Sequence, residues 1–204
     1  PAKTLVGIEI EIERVRERIV SPFWQIVKEG SLRSGYEVKT PALFGEFVPY
    51  ALHDLLVFLK DNPHDFSHMT SNHVHVDFRH NTPNDIIKVC LVYLAFEHYL
   101  FAYAGPGRTK SNFCVPMSDL NIANIMHNLI QAMGPEGISE LDANTFYFNM
   151  CHMFPSKYTA FNILNLFHRE ERHADREKGY GTIEFRHMIG SANIKFVTTW
   201  VKLL

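Results

Sequence analysis

Polar and apolar positions alternate with period two in three stretches of the chain. These are Gly-Ile-Glu-Ile-Glu-Ile-Glu at 7–13, Asn-His-Val-His-Val-Asp-Phe-Arg at 72–79 and Gly-Thr-Ile-Glu-Phe-Arg-His at 181–187. A β-strand turns successive side chains to opposite faces. Glu9, Glu11 and Glu13 therefore share one face of the first stretch, opposite Ile8, Ile10 and Ile12. His73, His75 and Asp77 share a face of the second, and Glu184 and Arg186 a face of the third. One side of the expected sheet meets a core, and the other carries ionisable groups. Three carboxylates on one strand face repel each other unless positive charge sits among them.

The spaces between these strands suggest other elements. Residues 4–15 form the first strand, and the apolar run 22–28 predicts a second. Glu29-Gly30-Ser31 reads as a turn. Gly35 to Thr40 predicts a short strand ended by Pro41, with Glu37 and Lys39 on one face. Residues 46–60 have helical spacing and stop at Asp61-Asn62-Pro63. The longest helix is expected from Pro83 to about Ala104, with Thr82 as N-cap and Asp85 completing a capping box. It is apolar nearly all round, which predicts deep packing against the sheet. Residues 119–133 also look helical, and 145–150 and 158–164 are strand candidates. The charge-dense stretch 168–180 reads as an exposed connection. A last helix begins near 193 with no stop signal before Leu204, so the chain is expected to continue beyond it.

Composition narrows the function classes. The chain has 204 residues, 46% hydrophobic and 21% charged, enough for one sizeable core. One domain is expected over 1–204, since no repeat, low-complexity tract or clean linker interrupts it. The formal charge of -2 argues against a general nucleic-acid binder. No apolar run reaches the length of a membrane span and no signal peptide is visible, so a cytoplasmic setting without membrane contact is expected. Cys90, Cys114 and Cys151 form no CxxC pair and read as packing residues. Arg108 to Cys114 follows a Gly-Pro-Gly turn but lacks the GxxxxGK[ST] pattern of a P-loop. No G-x-S-x-G nucleophile elbow is present.

The candidate chemistry lies on the polar strand faces. Mg²⁺ and Mn²⁺ prefer carboxylate oxygens and often bind substrate phosphates as well. The competing reading of the first strand is a half-exposed strand whose glutamates face water. His73 and His75 suit either metal ligation or hydrogen bonding beside a core. Glu184 and Arg186 suit a surface ion pair, or a metal acid beside an arginine whose planar fork grips phosphate or carboxylate. Tyr158 and Asn162, four apart, would share a strand face.

The order of these motifs is more specific than any one of them. Gly7-Ile-Glu9-Ile-Glu11, Gly30-Ser-Leu32, Gly35-Tyr-Glu37-Val-Lys-Thr-Pro41, His73-Val-His75-Val, Arg108-x-x-x-Asn112-x-Cys114, Tyr158-x-x-x-Asn162 and Thr182-Ile-Glu184-Phe-Arg186-His187 follow one another over nearly the whole chain. The series resembles the amidoligase family, relatives of the carboxylate–amine ligases, many of them from phages and bacterial operons. The resemblance implies an α+β fold, with a curved, mainly antiparallel glutamine-synthetase-like sheet flanked by helices. It implies ATP and Mg²⁺ or Mn²⁺ on the polar face, and a host or bacterial cytoplasm. The implied reaction is phosphoryl transfer to a carboxylate, followed by amine attack on the acyl phosphate.

By the same resemblance the metal ligands are Glu9, Glu11, Glu184 and His75, with His73 on the same strand face. Glu37, Arg108, Asn112 and Arg186 face the nucleotide, and Arg186, His75 and Arg108 take part in catalysis. The substrates would be small-molecule or peptide carboxylates and amines, and a protein partner or a homo-oligomer fits the same pattern. Two departures stand out. Thr70-Ser71-Asn72 replaces the Cys-Gly pair usual before the His-Val-His strand, and Glu29-Gly30-Ser31 replaces Asp-Gly-Ser. Two other classes stay open: a non-catalytic structural or partner-binding protein on the same fold, and a metal-dependent hydrolase using His73, His75 and the glutamates.

Overall fold

The computed structural model describes residues 4–15, 21–32, 34–105, 107–121, 124, 127–128, 131, 157–166 and 180–204. Among them, seven strands and three α-helices make an α+β fold with a mostly antiparallel, open sheet. The expected helix at 119–133 and the strand at 145–150 lie largely or wholly outside the described residues, as does nearly all of the 168–180 connection. The chain divides into two compact units, Pro1–Asp77 with Phe185–Leu204, and Phe78–Glu184.

In the first unit β1 (Leu5–Glu13) runs between β3 (Gly35–Lys39) and β5 (Ser71–Asp77), antiparallel to both. Outside β3 lies β2 (Gln25–Glu29), and the short β4 (Leu43–Phe44) pairs with the start of β1. On the other side of β5 comes β7 (Thr182–Ile189). The alternation read from the sequence sets which residues are buried. Ile8, Ile10, Ile12, Val38 and Val74 have no solvent exposure. Helix α1 (Val48–Lys60) buries Val48, Ala51, Leu52, Leu55 and Leu59, and it packs against α3 (Ile194–Leu203).

Local chemistry closes the ends of these elements. The Glu29 carboxylate accepts hydrogen bonds from the Ser31 N–H at 3.0 Å and its hydroxyl at 2.8 Å, so the glutamate caps its own turn. Asn193 caps α3 by accepting from the Phe196 N–H at 3.0 Å. Trp24 donates its indole N–H to the Ala51 carbonyl at 2.8 Å, tying the entry to β2 onto α1. His187 is fully buried, and its ring lies 5.5 Å from that of Trp200 of α3. It shares the core face of Ile183 and Phe185, away from Glu184 and Arg186.

The second unit is organised around the long helix α2 (Pro83–Ala104). The expected capping box is present: Thr82 Oγ1 accepts from the Asp85 N–H, and the Asp85 carboxylate accepts from the Thr82 N–H at 3.0 Å. Tyr93 stacks on Phe161 with ring centroids 4.3 Å apart. Phe101, Cys114 and Ala160 form a buried cluster. The run 158–164 is not one strand. It holds an isolated bridge from Thr159 to Val115, the two-residue β6 (Phe161–Asn162) and a 3-10 turn at Leu164–Leu166.

Two expectations about α2 need correction. The helix is long and apolar enough to cross a membrane by length and composition, although only 33% of that stretch is buried. Core helices of soluble proteins pass the same test. Nor is it packed deeply all round, because Val92, Phe96 and Tyr99 are more than half exposed along one side. Nearly uniform apolarity hides which face is inward, since the periodic contrast that normally marks a buried stripe is missing.

Candidate metal and acid–base site

The strand register brings the ionisable residues of the first unit together. Across the sheet Glu9 stands opposite Lys39 on one side and His73 on the other. Glu11 stands opposite Glu37, and Gly7 opposite His75. Directly opposed residues in an antiparallel pair have neighbouring side chains. Three strands thus set Glu9 at the centre of a row, flanked by an ammonium and an imidazole.

The contacts follow from that row. Glu9 Oε1 accepts a hydrogen bond from Lys39 Nζ at 3.0 Å and lies 3.6 Å from His75 Nε2. Glu9 Oε2 lies 3.4 Å from His73 Nδ1. Lys39 Nζ also forms an ion pair with Glu37. These acids do not face bulk water: the Glu9 and Glu37 side chains are 16% and 10% exposed, and Glu11 and Glu13 are buried.

Burial and charge act differently on the two carboxyls. Burial opposes the charge of Glu9, but the His73 and His75 rings beside it hold its carboxyl well below the usual range. Glu37 is pushed upward, first by burial and then by the negative charge of Glu9, with Lys39 pulling the other way. Burial works against the charge of Lys39, yet Glu9 and Glu37 more than offset it and raise its pKa.

Glu11 is engaged differently from the ligand role expected of it. Its Oε2 accepts from the Ser71 N–H at 2.7 Å and from the Ser71 hydroxyl at 2.6 Å. Ser71 Oγ in turn lies 2.8 Å from His73 Nε2. With the hydroxyl hydrogen turned to Glu11, the serine oxygen receives the Nε2 hydrogen. A metal-binding histidine is commonly held in this way, one ring nitrogen fixed by a hydrogen bond and the other left for the ion. The nitrogen that faces Glu9 is Nδ1. One ligand atom each from Glu9, Glu37 and His73 lie within 4.8 Å of one another.

The remaining predicted residues are placed as follows. Glu184 is buried in β7 and accepts from Asn162 Nδ2 at 2.8 Å and Asn165 Nδ2 at 3.0 Å. Arg186 is half-buried two residues further on. Arg108 is buried in a 3-10 turn, Arg108–Lys110, entered through Gly107 at φ 82°, whereas Asn112 is exposed. The two are therefore not alike in solvent access. Cys114 is buried, and burial pushes the Cys90 thiol up to about 12, so both fit the packing role expected of them.

No family model, curated protein or solved structure matches the chain.

Four polar residues with defined partners escaped the sequence reading, Lys39 and Ser71 at the site and Asn165 and Glu97 in the second unit. Lys39 was placed on the face of Glu37 but not counted in the site, because the β1–β3 register decides whether it meets Glu9. Ser71 stands two residues before His73, on the same strand face, and that spacing was readable. Asn165 joins Asn162 on Glu184 only because a 3-10 turn follows β6. Glu97, a lone acid inside an apolar helix, is buried and accepts from the Tyr93 hydroxyl at 2.7 Å and the N–H groups of Met117 and Ser118 at 2.5 and 2.9 Å. Tyr93 at i and Glu97 at i+4 was its signal.

Proposed function

We propose that the protein is an ATP- and divalent-metal-dependent amide-forming ligase that joins a carboxylate to an amine through an acyl phosphate. One observation carries this reading: Glu9, Glu37 and His73 direct ligand atoms to a common point on one sheet face. A set with two carboxylates and one imidazole suits Mn²⁺ or Mg²⁺. The mostly antiparallel α+β architecture and the ordered motifs support a glutamine-synthetase-like catalytic sheet of the amidoligase kind.

In this reading Glu9, Glu37 and His73 hold the ion, and His75, whose Nε2 lies 3.6 Å from Glu9, is a further candidate ligand. A bound divalent ion supplies neutralising charge for phosphate oxygens, which is most of what phosphoryl transfer requires. Ser71 and Glu11 keep the His73 ring oriented. The guanidinium of Arg186 offers a fork to phosphate or carboxylate. Arg108 and Asn112 are assigned to the nucleotide side, Arg108 by shaping its turn and Asn112 from the surface.

Hydroxylamine trapping tests the reaction. A small strong nucleophile should intercept the acyl phosphate as a hydroxamate, across a panel of carboxylates, only when ATP, Mn²⁺ and carboxylate are all present. Glu9→Gln should abolish trapping while the protein stays folded. Amide cleavage by the metal-loaded protein without nucleotide would replace this reading with a hydrolase. Failure to bind either ATP or metal would replace it with a non-catalytic protein.

A further inference from the structure

Lys39 sits where a divalent ion would sit. Its ammonium reaches Glu9 at 3.0 Å and pairs with Glu37, the same two carboxylates that converge with His73. An ion bridging those acids and the lysine ammonium therefore compete for the same lone pairs. Both are cations, and a unit positive charge within ~4 Å of a divalent ion is strongly unfavourable away from bulk water.

From this overlap we propose that Lys39 is a built-in counter-cation. It holds the acid pair together in the metal-free protein and must swing outward for a divalent metal to enter. The proposal rests on the metal site described above and adds a gate to it. Without a cation, Glu9 and Glu37 would face each other as partly buried carboxylates, and repulsion would spread the β1 and β3 faces. The lysine removes that cost while the site waits.

The surroundings let the side chain move without the strand. The Lys39 side chain is 34% exposed, so its ammonium has a route to water. The backbone beside it is pinned: the Thr40 N–H donates to the Ile8 carbonyl at 2.9 Å, and the Ile8 N–H donates to Thr40 Oγ1 at 2.9 Å. A flexible four-carbon stem on a fixed strand can exchange rotamers while Glu9 and Glu37 stay in place. The exchange breaks no covalent bond, and the lysine keeps its proton.

The test has a wild-type arm and a variant arm. In the first, the native protein is labelled with an amine-reactive reagent with and without saturating Mn²⁺, and each lysine is quantified by mass spectrometry. Labelling of Lys39 should rise several-fold with Mn²⁺, relative to the exposed Lys28 and Lys60. In the second, Mn²⁺ affinity is measured by calorimetry. Lys39→Met should bind at least roughly tenfold more tightly, about 1.4 kcal/mol, and Lys39→Arg should bind no more tightly than wild type. Binding by Lys39→Met alone would also support the gate. If Mn²⁺ binds wild type while Lys39 stays protected, or if Lys39→Met binds equally or more weakly, the gate is overturned and the metal site stands. If neither protein binds Mn²⁺, both are overturned. Should Lys39→Met fail to fold, the labelling arm decides.

Discussion

Ser71 has one hydroxyl, and two groups depend on where its hydrogen points. Glu11 receives that hydrogen and the Ser71 N–H, and His73 is left to donate to the oxygen. Hydrogen bonds to a buried carboxylate are among the stronger ones in a protein. Ser71→Ala and Glu11→Gln should each cost ~1–3 kcal/mol in urea denaturation. Because the two residues share one contact, the double variant should cost less than the sum, with a coupling of at least ~0.5 kcal/mol. Additive costs would show that the pair is adjacent without being coupled. The same geometry makes Glu11 a positioning residue for His73, acting through the serine.

Helix α2 carries two acids that burial displaces upward, Cys90 and Tyr93. Burial raises the Cys90 thiol from its ordinary 9.0 to about 12. Tyr93 is raised well above 10.0, by burial and then by the charge of Glu97. Both are acids whose folded pKa lies above the unfolded value, so each contributes stability that is whole at neutral pH. Above pH 9 the unfolded chain releases the Cys90 proton while the folded chain keeps it, and stability falls as pH rises toward 12. The slope from one such group approaches ~1.4 kcal/mol per pH unit. Urea melts at pH 8, 9, 10 and 11 should show this decline, and Cys90→Ser should flatten it between pH 9 and 11. An equal slope in the variant would place the alkaline loss elsewhere.

At the scale of the first unit, residues far apart in sequence are fitted closely to one another around Gly190. In the first unit the Gly190 N–H donates to the Thr70 carbonyl at 3.0 Å, and a Cβ on Gly190 would overlap the Thr70 side chain. Next to it, Asn72 donates to the Ser191 carbonyl at 2.7 Å and accepts from its N–H at 3.1 Å. The segment 70–72 therefore clasps the end of β7. Gly190→Ala should destabilise by ~1–3 kcal/mol through overpacking. Thr70→Gly should remove much of that added cost when combined with it, as read from thermal melts of the four proteins. Equal damage in both backgrounds would mean that the Thr70 side chain is not the obstacle.

The strands and helices of the described residues were largely written in the sequence. Alternation gave β1, β5 and β7 and their two faces, helical spacing with Asp61 gave α1, and Thr82, Pro83 and Asp85 marked the start of α2. These signals are local, and each rests on side-chain period or on backbone groups a few residues away. The acids of the first strand were legible as needing a positive partner, but not which one. Lys39 and Glu9 are 30 residues apart, and His73 and Glu9 are 64. A one-residue slip between β1 and either neighbour would send Lys39 or His73 to the opposite face. Register, set by the packing of the whole apolar face, placed the ammonium between Glu9 and Glu37, and with it the arrangement on which the candidate site depends.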